Sequence, residues 1–559
     1  MVVMARVVRL VLLAGVMAPG TSGWAAGPVH AKSAETAGEF KASKAFDIAH
    51  QTALTMHAFL ERMPKGADLH MHLSGAIYAE TFLRDGAADK LCVNPTTLAF
   101  VPNIGTTRDM PSQAVCAAPG VPASSVLKNQ ALYDSLVDSF SMRGYVPTPG
   151  ITGHDQFFAT FGRFGGMGKG HDGEWLDEVA TRAAAQNEQY LEVMMTPSFS
   201  KSAKLGYQLG WPKGPIDGST SGGDSAHMDT GDPSLDKRAA GAAELSGLRE
   251  KLLAGGLRDE IATDREEIAK AFAERDRREH CGQPDAAPGC SVTIRVIYQV
   301  LRAFAPEQVF AQTVLGFEVA SAEPRVVGIN YVQPEDAYMA MSEYHRQMVW
   351  MDYLHGVYPK VHISLHAGEL APGMVPPEGL RFHIREAVDL GHAERIGHGV
   401  DVMYEERPEE LLKEMAARHV MVEINLTSND VILGVTSNYH SLPAYRAAGV
   451  PVSLSTDDEG VSRIDLTHEY TRAALDYKLS YIDLKNMART GIAHTFLPGE
   501  DLWASPDVFT KVNGACAGAK SPGSEQLSTA CTAFLRGSPK AAQEWELEHR
   551  FAVFEANLP

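Results

Sequence analysis

Four short segments of the 559-residue sequence bring imidazoles and carboxylates close together. They are His70-Met71-His72, His366-Ala367-Gly368-Glu369, Gly397-His398-Gly399 and Thr456-Asp457-Asp458, and each closes a short apolar run with strand character. A single histidine in such a run is most often a hydrogen-bonded core residue. Four histidines and three carboxylates at four strand ends need a joint explanation, because buried imidazole and carboxylate groups need partners. Alternation along a strand puts His70 and His72 on the same side, pointing inward. Imidazole nitrogens beside a carboxylate oxygen suit a borderline-soft divalent ion, and zinc is the expected one. His70, His72, His366 and Asp457 are the expected ligands of one zinc per chain, with water in the open position. Zinc lowers the pKa of such a water to near neutrality and yields a hydroxide nucleophile. Glu369, His398 and Asp458 have the types needed to donate a proton, hold the attacking water and stabilise developing charge.

The elements that must position these groups follow from the surrounding pattern. β-rich runs occur at Val292–Val300, Arg325–Val332, Val361–His366, Arg395–Val400, Met421–Asn425 and Pro451–Ser455, with starts roughly 25 to 36 residues apart. The spacing leaves room for strand, loop, helix and loop. Ala337–Tyr353 and Glu406–Arg418 carry apolar residues at helical spacing. Near-continuous apolar strands alternating with helices indicate a parallel sheet covered on both faces. Ala67–Leu73 and Tyr190–Met195 bring the count to eight, which predicts an α/β fold of the (β/α)8 TIM-barrel type. A doubly wound open sheet is the alternative, but no Gly-rich phosphate loop follows any of the strands.

The length at first suggests several domains, and motif placement reduces them to one barrel with additions. Residues 64–500 form the expected catalytic barrel, with insertions at about 85–150 and 198–290. Residues 26–63 are a helical N-terminal extension, Glu35–Arg62 in particular. Residues 501–559 are a C-terminal extension ending in the helix Pro539–Asn557. Lys204–Ala239, rich in Gly, Ser, Asp and Pro, reads as a flexible surface insertion. Arg6 and Arg9 precede the apolar run Leu10–Ala18, which is too short to span a membrane and right for a signal peptide over residues 1–25. Removing those residues, which carry two arginines and no acid, takes the net charge from −19 to −21. The mature chain is expected to be exported, to a periplasm or the medium, and to be free of the membrane. Its acidity argues against nucleic-acid binding. The six cysteines fall in three close sequence pairs, predicting bridges 92–116, 281–290 and 516–531.

At this point the sequence resembles the adenosine deaminase family, a mononuclear-zinc branch of the amidohydrolase barrels. The resemblance rests on Met63-Pro64-Lys65-Gly66-Ala67-Asp68-Leu69-His70-Met71-His72-Leu73, Ser364-Leu365-His366-Ala367-Gly368-Glu369, Arg395-Ile396-Gly397-His398-Gly399, Thr427-Ser428-Asn429 and Ser455-Thr456-Asp457-Asp458, in that order. It implies attack of a zinc hydroxide on C6 of an adenine ring, with Glu369 protonating N1. It implies that His398 orients the hydroxide and takes up its proton, and that Asp458 hydrogen-bonds to hydroxide or N7. Loss of ammonia would then give the 6-oxo purine.

Several positions depart from the family pattern. Ser74 stands where nucleoside deaminases place an Asp that grips ribose hydroxyls, which leaves adenine or an adenine nucleotide open as the substrate. Gln333 aligns with a Gly whose N–H faces the purine, and Glu459 replaces a Pro. Phe157, Phe158, Phe161 and Phe164, at helical spacing, suit either an apolar lid over a base or an ordinary core stripe. Ser74, Gln333, Phe157 and Phe161 are therefore the candidate substrate-binding residues for a small purine. Two other classes are weaker. A binuclear amidohydrolase would want a Lys at the end of the fourth strand, and Arg325–Val332 has none. A non-catalytic binding protein would not need all seven site residues, and all seven are present. The sequence leaves the oligomeric state open.

Overall fold

The computed structural model describes residues 35–105, 114–167, 170–211 and 242–559. The expected signal peptide and most of the Lys204–Ala239 segment lie outside them. Eight parallel strands form the centre: β1 (Gly66–His72), β2 (Glu188–Met195), β3 (Thr293–Leu301), β4 (Val326–Val332), β5 (His362–Ala367), β6 (Arg395–His398), β7 (Met421–Ile424) and β8 (Val452–Leu454). Each pairs with the next in chain order. The ring is closed just past β8, where the Asp457 N–H donates to the His70 carbonyl at 2.8 Å and the His72 N–H donates to the Asp457 carbonyl at 3.0 Å. Asp68 reinforces the seam by accepting from the Thr456 N–H at 3.1 Å and its hydroxyl at 2.6 Å. The eight strands are those the apolar runs predict, within two residues at each end.

Helices cover the outside of the barrel, which is why β1, β2, β6, β7 and β8 are buried on both faces. The N-terminal extension is helical, as two helices, Ala37–Ala49 and Ala53–Arg62. The break falls where Thr52 caps the second helix through the Thr55 N–H. Ala337–Tyr353 is likewise divided, at Glu343. The Lys204–Ala239 expectation needs correction at its start. Ser200–Leu209 is a helix, and it packs so closely on Pro306–Ala322 that a Cβ on Gly206 would lie 2.2 Å from the Glu307 carbonyl oxygen.

The insertion after β1 holds a small antiparallel sheet of Cys92–Asn94, Ala99–Val101 and Val121–Pro122, followed by the helices Gly153–Phe164 and Asp172–Ala185. All three expected disulfides are formed, Cys92–Cys116, Cys281–Cys290 and Cys516–Cys531. The N- and C-terminal extensions meet on the outside of the barrel. Lys485 pairs there with Glu39 at 3.0 Å and Glu555 at 2.6 Å, beside the Arg489–Glu548 pair.

Candidate active site

The strand ends bring four donor atoms together at the C-terminal mouth. His70 Nε2 and His72 Nε2 lie 3.1 and 3.2 Å from His366 Nε2. Asp457 Oδ1 is 3.4 Å from His70 Nε2 and 3.1 Å from His72 Nε2. Four ligands about 2.0–2.1 Å from one ion at tetrahedral angles stand roughly 3.3 Å from each other. The spacing therefore fits one small divalent ion.

The far side of each ring strengthens this. His70 Nδ1 is 2.6 Å from Glu423 Oε2, His72 Nδ1 is 2.6 Å from Gln299 Oε1, and His366 Nδ1 is 2.6 Å from Asn330 Oδ1. These oxygens accept the Nδ1–H protons, so three Nε2 lone pairs face one another. Lone pairs so placed repel unless a cation lies among them. Asp457 is fixed too, because its Oδ2 accepts the Ser428 hydroxyl at 2.5 Å. Both Asp457 (φ 62°) and His398 (φ 71°) have left-handed backbone at their strand ends, a strained conformation that clusters at functional sites.

Local electrostatics point the same way. Burial alone would lower the His70 pKa, yet the Asp457 and Glu423 carboxylates raise it to about 10. Burial alone would raise Asp457, and the His70 and His72 imidazoles instead hold it well below the usual range. The carboxylates thus favour positive charge around His70, while burial and then the neighbouring imidazoles hold His366 well below its usual value.

Glu369 is buried beside this centre. Burial, and then the charges of Asp457 and Glu335, push its carboxyl well above the usual range, which favours the protonated acid. Its turn is clamped by Glu335, whose two oxygens accept the Gly368 N–H at 3.0 Å and the Glu369 N–H at 2.7 Å. Glu369 Oε1 lies 3.7 Å from His398 Nδ1. Burial, followed by the neighbouring His70 and His72, lowers the His398 pKa to about 3 despite Asp457, so this imidazole is neutral. Asp458 reaches over the loop after β1. A Cβ on Gly75 would lie 1.4 Å from Asp458 Oδ1, so that approach requires glycine. Asp458 Oδ1 is buried and has no hydrogen-bond partner among the described residues.

The candidate substrate residues are less tightly gathered. Ser74, half-buried, is two residues past His72 on the same loop. Gln333 has φ 103°, a backbone suited to glycine, and its side-chain oxygen accepts the Ala303 N–H at 2.7 Å. Phe157 is 1% exposed and Phe164 is 4%, both in the core, while Phe158 and Phe161 are only partly covered. Phe157 and Phe164 are thus core rings, with Phe158 and Phe161 packed against the same core. Their helix meets the segment after β7, where a Cβ on Gly153 would lie 1.9 Å from the Val431 carbonyl oxygen.

Sequence reasoning did not single out Glu423, Gln299, Asn330 or Glu335 as supports of the site. The available signal was a polar residue inside an apolar strand: Gln299 in β3, Asn330 in β4 and Glu423 in β7. Glu335, just past β4, carried no such signal.

The family model for adenosine deaminase matches residues 280–504, the stretch from the edge of β3 through β8 that contains His366, Glu369, His398, Asp457 and Asp458. Over that stretch the chain is similar to the adenosine deaminase family. Adenosine deaminase from Escherichia coli (strain SE11) is 38% identical over 141 residues, which is 25% of this chain and 39% of that protein. The match therefore spans well under half of the curated relative. The fold resembles the solved structure of a Burkholderia ambifaria amidohydrolase with bound zinc, at TM-score 0.50 and 15% identity, covering 94% of this chain and 96% of that one. An adenine deaminase structure from Arthrobacter aurescens superposes at TM-score 0.46 with 16% identity, covering 78% of this chain and 94% of that one.

Proposed function

We propose that this chain is a zinc-dependent aminohydrolase that converts adenosine, or a close 6-aminopurine relative, and water to the 6-oxo purine and ammonia. The observation that carries the proposal is the convergence of three imidazole Nε2 atoms and Asp457 Oδ1 at 3.1–3.4 Å, with each Nδ1 already engaged. His70, His72, His366 and Asp457 would hold one zinc, whose part is to polarise a water and bring its pKa near neutrality.

The remaining chemistry belongs to the chain's own side chains. Glu369, kept protonated by burial, delivers its proton to N1 as the ring loses aromaticity at C6. Asp458 Oδ1, buried and unpartnered among the described residues, is the acceptor that orients the attacking water. His398 stands against His70 and His366 with ring centroids 4.9 and 5.3 Å away, within reach of the same oxygen. The backbone of Gln333 and the partly covered ring of Phe161 are the proposed contacts to the purine, with Phe157 behind Phe161. Ser74, lacking a carboxylate's charge, suits a nucleotide as well as a nucleoside.

Export agrees with the three disulfides, which persist in oxidising compartments. No helix of the described residues is long and apolar enough to cross a membrane. The test is a panel of adenine, adenosine, deoxyadenosine and AMP, read by ammonia release from the zinc-loaded protein. Turnover of at least one is expected, and turnover of none would sink the proposal.

A further inference from the structure

His440 lies in the loop between β7 and β8, 4% exposed, and no motif described above includes it. The Leu442 N–H donates to its Nδ1 at 3.0 Å. A neutral imidazole whose Nδ1 accepts carries its proton on Nε2, and that nitrogen is 3.0 Å from Asn429 Oδ1. The contact orients the Asn429 amide. With Oδ1 facing His440, Nδ2 faces His398 and donates to its Nδ1 at 2.9 Å. The amide nitrogen of Asn425 stands 3.4 Å from the same atom. His398 Nδ1 is therefore an acceptor, and the ring's proton resides on Nε2. His398 Nε2 is buried and has no hydrogen-bond partner among the described residues.

We propose that His440, acting through Asn429, is a positioning residue that fixes His398 in the Nε2–H tautomer. His398 then donates a hydrogen bond to the attacking oxygen instead of removing its proton. The tautomer follows from the hydrogen-bond chain alone, whereas the role toward an attacking oxygen rests on the deaminase reading. Uptake of a proton by His398, the role the family resemblance implies, requires a free Nε2 lone pair. The chain from the Leu442 backbone leaves none in the resting ring.

The test uses the zinc-loaded full chain labelled with 15N in its histidine rings, read by two-bond 1H–15N correlation. The His398 signals are identified by their absence in His398→Gln. Wild type is expected to show His398 protonated on Nε2 and bare on Nδ1. In Asn429→Asp the new carboxylate accepts from both rings, so His398 should become protonated on Nδ1. Turnover should fall at least about tenfold, with KM little changed and zinc retained. His440→Phe should mix the two tautomers, and His440→Gln, whose amide N–H can donate to Asn429 Oδ1, should restore the wild-type pattern. The His440 pair decides the matter if Asn429→Asp does not fold. Wild-type His398 protonated on Nδ1, or a pattern and turnover indifferent to His440→Phe, overturns the proposal. The spectra need no substrate. Absence of deamination with the expected pattern would therefore remove the deaminase reading and leave the tautomer standing.

Discussion

Glu423 accepts the Nδ1–H of His70 at 2.6 Å with one oxygen and stands 2.7 Å from Arg395 Nε with the other, all three side chains fully buried. Burial would raise the Glu423 pKa, but Arg395 and then His70 hold it below its usual value, so it remains a carboxylate. A carboxylate behind a ligating imidazole fixes the tautomer and raises the ring's basicity. Glu423→Gln should therefore weaken zinc binding about 10- to 100-fold, measured by competition with a chelator. Unchanged affinity would show that Glu423 serves the barrel floor and not the centre.

Glu369 is the proposed proton donor because burial keeps it an acid next to the proposed metal ligands. Glu369→Gln preserves shape and removes the proton. It should keep its zinc while turnover falls at least about 100-fold, since a positioned acid contributes roughly 10²–10⁴. Normal turnover with full zinc would take Glu369 out of that role.

Gly75 offers a steric test of Asp458. A methyl group there would overlap Asp458 Oδ1 and press on its Cγ, 2.3 Å away, so the carboxylate must move. Gly75→Ala should lower turnover about 10- to 100-fold, as expected for a misplaced catalytic group. Gly356→Ala, where a new Cβ meets nothing within 4 Å, serves as the control and should behave as wild type. Equal turnover in the two variants would argue against the placement of Asp458.

Much of this arrangement is legible in the sequence, for a physical reason. Strands buried on both faces must be nearly all apolar, so His70, His72, His366 and Asp457 stand out at their ends. What does not show is whatever depends on partners distant in sequence. Glu423 meets His70 across 353 residues, and Gln299 meets His72 across 227. One polar residue in an apolar strand says that a partner exists without saying which. The sheet Cys92–Asn94, Ala99–Val101 and Val121–Pro122 has strands of two or three residues, too short for a period to show. His440 lies in a loop, where no periodicity distinguishes an inward side chain from an exposed one.

His440 also makes a prediction about stability. Burial, and then the nearby Arg472, lowers its pKa from 6.5 to about 4. Between those values the unfolded chain binds a proton that the folded chain refuses. Stability from this group is therefore complete above pH 6.5 and is lost progressively as pH falls toward 4. The full difference amounts to ~3 kcal/mol. Urea unfolding of wild type and His440→Gln across pH 7.5 to 4 isolates it from the other histidines, which both proteins share. The wild type should lose more stability than the variant over that range. Parallel curves would mean that His440 accepts a proton in the folded state as readily as in the unfolded one, contrary to its Nδ1 accepting the Leu442 N–H.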